Sequence, residues 1–107
     1  MRITAELPKP FEEFKANYTG VFEAYEKLSK ECLAAGPLDA KMRELVKLGI
    51  SIGAKMEGAA HSHTRRALEQ GATAEELRHI ALLALTTLGF PNMMTGLLWV
   101  EDILKRK

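Results

Sequence analysis

AAHSHTRRALEQGATAEEL, residues 59–77, joins two helical patterns through a single glycine and decides how the chain is built. Ahead of Gly71, Ala60, His63 and Ala67 recur at steps of three and four with Thr64 beside them, the spacing of one helical face. Gly71 stands where a helix takes its closing left-handed turn, a conformation open to glycine because it has no Cβ. Thr73 and Glu76 then read as a T-x-x-E capping box, in which each side chain accepts from the other residue's backbone amide. A helix, a glycine stop and a capped helix in immediate succession predict an all-α chain with short loops. The stretch holds no cysteine, and the chain's one cysteine, Cys32, lies far upstream.

Downstream, residues 80–88 (IALLALTTL) carry no charge and are apolar on nearly every side. Such a helix is either deeply buried or covered by another subunit, and a chain of 107 residues has little interior to surround it. Self-association is therefore expected. The last helix is predicted from near Pro91, a favourable first-turn residue, through Met93, Met94, Leu97, Leu98, Trp99 and Ile103 toward Lys105-Arg106-Lys107. Its Met pair suits gap-filling in a core or interface, and its basic end suits the helix dipole.

Upstream, Asp39 is placed to cap a central helix that carries Met42, Leu45, Val46, Gly49, Ile52 and Met56 inward. Gly49 and Gly53 each cost about 1 kcal/mol relative to alanine in a helix, which predicts the close approach of another helix there. Before the Gly36-Pro37 stop, Val21, Phe22, Tyr25, Leu28, Ser29 and Cys32 share one helical face and predict a core stripe with a buried, slow-reacting thiol. A short amphipathic segment over residues 11–18 opens the pattern. The sum is one domain, residues 1–107, of about six helices.

Fifteen basic against fourteen acidic residues leave a formal charge of +1, and the only basic run is terminal, so nucleic acid is not an expected partner. MRITAELPKPFEEF contains no stretch like a signal peptide, and no apolar run reaches the length of a membrane span. These features predict a cytoplasmic protein without membrane association. One cysteine cannot form an intramolecular disulfide, which suits a reducing compartment.

His63 is the sharpest candidate for chemistry, because an alanine-lined face leaves room for a pocket and imidazole exchanges protons near neutral pH. A satisfied core histidine is the plainer reading. Glu44, at the edge of the central helix's apolar stripe, is either a solvated carboxylate or the partner that orients the imidazole. His61 lies two residues from His63, and such residues point to different sides of a helix, so the two do not share one metal ion. No third histidine or cysteine falls at zinc-ligand spacing, so neither a metal nor another cofactor is expected. His79 and Glu75 read as an exposed helix pair; Arg65 and Arg66 read as surface charges able to meet an anionic substrate.

LDAKMREL (residues 38–45), HTRRALEQGATAEEL (63–77) and LGFPN (88–92), in that order and spacing, resemble the carboxymuconolactone decarboxylase superfamily, which includes the alkylhydroperoxidase D-like proteins. The resemblance implies an obligate oligomer of helical bundles, built on a trimer and often a hexamer. It also implies peroxiredoxin-type antioxidant activity, with a glutamate at Glu44, a C-x-x-C pair and a histidine at His63. Here Met56 and Ala59 stand at the cysteine positions, and neither forms a thiolate. Any activity is then expected to rest on acid/base chemistry of Glu44 and His63, with His61 assisting, on a small molecule. The decarboxylase branch, also without the cysteine pair, implies cofactor-free turnover of a small carboxylated substrate. A non-catalytic binding or assembly protein is the remaining alternative.

Overall fold

In the computed structural model, which describes residues 9–105, the chain is helical with no strand among those residues. The helices are α1 (Lys9–Asn17), α2 (Thr19–Ala34), α3 (Ala40–Gly53), α4 (Glu57–Glu69), α5 (Ala74–Leu83), α6 (Leu85–Leu88) and α7 (Phe90–Leu104). Expectations for the amino-terminal residues 1–8 and for Arg106-Lys107 lie outside the described residues. None of the described helices is long and apolar enough to cross a membrane. By packing, α1 and α2 belong to one unit and α3 to α7 to another.

The first unit is held by aromatic contacts. The Phe11 and Phe22 rings meet edge to face at 5.7 Å, Phe14 and Tyr18 lie 5.6 Å apart, and the Lys15 ammonium sits 5.2 Å from the Phe22 centroid. The stripe expected to be core is not: α2 contains no buried residue, Val21, Tyr25 and Leu28 are exposed, and so is Cys32. Two short helices have too little surface to enclose a stripe of that width.

The second unit contains the core. Asp39 caps α3 as expected, its Oδ1 accepting from the Met42 amide at 2.9 Å. Leu45, Leu48 and Ile52 of α3 pack with Ala60 and Ala67 of α4, Leu77 and Ala81 of α5, and Met93 and Val100 of α7. Met42, Val46, Gly49 and Met56 instead face outward. Two adjacent strips of α3 carry apolar residues at helical spacing, and the strip through Leu48 and Ser51 is the one that turns inward. At Gly49 and Gly53 an added Cβ would meet Ile80 Cγ2 at 3.8 Å and Leu88 Cδ1 at 4.0 Å, ordinary contacts. Close approach falls at Gly96 of α7, where a Cβ would lie 2.7 Å from Ile52 Cγ2.

Gly71 adopts φ +94° after α4, and the Ala72 amide reaches back to the Ala67 carbonyl at 2.9 Å, closing the helix end. The Thr73–Glu76 capping box opens α5 as read from the sequence. The apolar run that follows is not one helix: it breaks at Ala84 into α5 and the single turn of α6, and Gly89 at φ +93° ends it. Ala81 and Ala84 are buried, whereas Leu82, Leu83 and Leu85 are exposed.

Two carboxylates tie the unit together. Glu101 of α7 accepts from Arg78 Nε at 2.6 Å and Nη2 at 3.2 Å, and this fork holds its carboxyl below the usual value of 4.5. Glu76 is held low chiefly by the Thr73 backbone amide and next by Lys41 Nζ at 3.0 Å. A carboxyl whose folded value is lowered stabilises the fold above its unfolded value, and that contribution is lost as pH falls through the folded value. Melting temperature is therefore expected to fall as pH drops below about 4.5. Glu101→Gln should make that decline shallower, as thermal melts between neutral and acid pH would record.

Candidate functional site

A connection of residues 54–56 joins α3 to α4, with Lys55 in the left-handed region at φ +60°. So short a link makes the helices antiparallel neighbours. Glu44, ten residues before the connection, and His63, seven residues after it, lie on the facing sides of the two helices. Glu44 follows the cap of α3 by little more than a turn and sits beside buried Leu45; His63 follows buried Ala60 by three residues and precedes buried Thr64. His63 Nδ1 lies 2.7 Å from Glu44 Oε1, with the two side chains only 16% and 13% exposed. The structure thus brings together the two residues that the sequence could name but not connect.

Because an ionised carboxylate only accepts, a neutral imidazole in this contact carries its proton on Nδ1, and the lone pair is then on Nε2. Among the described residues Nε2 has no hydrogen-bond partner, and no buried side-chain nitrogen or oxygen is left unpaired, so Nε2 is reachable from outside. One ring nitrogen is anchored and the other is open.

His61 is turned elsewhere. Its Nε2 lies 3.0 Å from Asp102 Oδ2 of α7 and 4.0 Å from Glu57 Oε2, one turn earlier on α4. It is not engaged with Glu44 or His63. The Glu57–His61 spacing was visible in the sequence as an i, i+4 pair, but nothing local announces Asp102, which arrives through the packing of α7 on α4. His79 is exposed, in a shallow depression lined with Glu75 and Glu76. Arg66 is exposed and Arg65 half-buried. Met56 precedes α4 and is exposed, and Ala59 is half-buried in its first turn; neither supplies a thiol.

A groove of about 310 Å³ runs between α3 and the α5–α6 bend, lined chiefly by Val46, Gly49, Ile80, Leu83 and Leu88. Neither Glu44 nor His63 lines it.

The pattern of the carboxymuconolactone decarboxylase family covers residues 19–102, and the chain belongs to that family. An uncharacterized protein of Methanocaldococcus jannaschii is 32% identical over 94 residues, 88% of this chain and 85% of its own length. An uncharacterized protein of Haemophilus influenzae is 30% identical over 64 residues, 60% of this chain and 57% of its own. No solved structure matches the chain.

Proposed function

We propose that the protein is an acid/base enzyme in which His63, oriented by Glu44, moves protons on a small carboxylated or carbonyl-bearing substrate without a cofactor. The observation that carries this reading is the 2.7 Å Nδ1···Oε1 contact together with the open Nε2. Nε2 takes a proton from a carbon next to a carbonyl, and Glu44 stabilises the imidazolium that results. The same N–H then returns the proton to another carbon of the enolate, shifting a double bond; in a decarboxylation the ring instead takes the carboxyl proton, the carbon–carbon bond to the carboxylate breaks as CO₂ departs, and the N–H protonates the carbanion left behind. Thiol peroxidation is the weaker reading. The lone cysteine has no second thiol with which to close a disulfide, and the family's cysteine positions hold Met56 and Ala59.

The test is proton exchange. Incubated in D₂O with a panel of small lactone acids and oxo acids, the protein is expected to incorporate deuterium beside the carbonyl of at least one compound, read by proton NMR. Consumption of an organic hydroperoxide with a dithiol reductant, lost in Cys32→Ser, would overturn the proposal in favour of thiol chemistry.

The working form is proposed to be a homo-oligomer, a trimer or a hexamer by family resemblance. Exposed Val46 and Ile50 on α3, with Leu82 and Leu83 on α5, support this, since a single soluble chain seldom leaves so many apolar side chains in water. Light scattering is expected to return a mass several times that of one chain, and Leu83→Asp to reduce it. A monomeric wild-type protein would end this reading.

A further inference from the structure

We propose that Glu57, His61 and Asp102 form a binding site for a divalent transition-metal ion, separate from the Glu44–His63 pair. One ligand atom from each of the three residues lies within 4.8 Å of the other two. Both carboxylates converge on the same nitrogen, Asp102 Oδ2 at 3.0 Å and Glu57 Oε2 at 4.0 Å from His61 Nε2. Zinc bonds of about 2.1 Å in tetrahedral geometry set ligand atoms about 3.4 Å apart, so the two observed separations bracket the value an ion requires. Small carboxylate rotations would close the difference.

The framework is already paid for by the fold. Glu57 and His61 are one turn apart on α4 and form a chelating pair, and Asp102 is carried by α7, which packs on α4 through buried Ala60, Ala67 and Val100. His61 is only 18% exposed, which limits its rotamers, whereas the carboxylates are half-exposed or more and leave room for water to complete the coordination. Glu57 and Asp102 both face His61 Nε2, and a bound cation would offset their negative charge. One imidazole with two carboxylates suits zinc, cobalt or manganese, whereas calcium prefers oxygen ligands throughout. The ion would cross-link α4 to α7, and it would compete with a proton for Nε2, so affinity should weaken toward acid pH. The site stands whether or not the acid/base reading of His63 does.

Titration of the chelator-treated full chain with Zn²⁺ by calorimetry, and with Co²⁺ by visible absorption, tests it. The expected result is saturation at about one ion per chain, with a zinc-dependent rise in melting temperature. His61→Ala and Asp102→Asn should each weaken binding by about tenfold or more, and Asp102→Asn, at a half-exposed position, should keep the fold. His79→Ala and Cys32→Ser should leave binding unchanged. No zinc binding, full affinity in Asp102→Asn or His61→Ala, or loss of binding in His79→Ala or Cys32→Ser would each overturn the proposal.

Discussion

Gly96→Val is expected to lower the unfolding free energy by about 3 kcal/mol, a large share of the roughly 5–15 kcal/mol that holds a domain folded. The position lies inside α7, where glycine is otherwise a poor choice, and replacement by alanine would by itself favour the helix by about 1 kcal/mol. Packing reverses that preference. A Cβ there would sit 2.7 Å from Ile52 Cγ2, 3.1 Å from Cδ1 and 3.2 Å from Cγ1. Cγ2 is fixed directly to the branched Cβ of a helical residue with one strongly preferred rotamer, and Ile52 is itself only 3% exposed, so the methyl cannot swing aside. Gly96→Ala should therefore still lose about 1–2 kcal/mol net, and valine more because it adds two further methyl groups. Urea unfolding would measure both. In Ile52→Ala, which alone costs about 2–5 kcal/mol, the penalty of Gly96→Ala should largely vanish. A Gly96→Ala protein as stable as the wild type would show that α7 can shift away from α3.

That close approach was not legible in the sequence, whereas much of the local structure was. Asp39, Gly71, Thr73 with Glu76, and Pro91 act through their own backbone neighbourhood, so the residue types alone place the helix starts and stops, and the structure keeps them. Which strip of a helix turns inward is not local. The α3 strip through Met42, Val46 and Gly49 looks as apolar as the one through Leu45, Leu48 and Ile52, and only the arrival of α4 and α7 decides between them. The α2 stripe, Cys32 included, had helical spacing but not enough of its own unit to bury it. The site divides in the same way. Glu44 and His63 were nameable from a motif, and their meeting follows from a hairpin with a short turn. The engagement of His61 with Asp102 instead joins residues 41 positions apart through two different helices.

His63→Ala is expected to lower kcat/KM for any proton-transfer substrate by about 10²–10⁴-fold, the range a positioned general base contributes. That loss alone does not separate catalysis from packing, because deleting a largely buried imbedded side chain also disturbs the core. Glu44→Gln separates them. Glutamine has nearly the same shape as glutamate and still hydrogen-bonds Nδ1, so a pair that served only to satisfy each other would tolerate it, with folding and turnover both preserved. A carboxylate can only accept from Nδ1–H, whereas an amide can turn its NH₂ toward Nδ1 and drive the ring proton to Nε2. The lone pair that takes the substrate proton would then be gone, and the imidazolium would lose its counter-charge. Glu44→Gln should accordingly melt close to the wild type yet lose about 10²-fold or more in kcat/KM, most of it in kcat, since the missing interaction is strongest once the ring is charged. Retention of full activity in Glu44→Gln would reduce the Glu44–His63 contact to a structural hydrogen bond between α3 and α4.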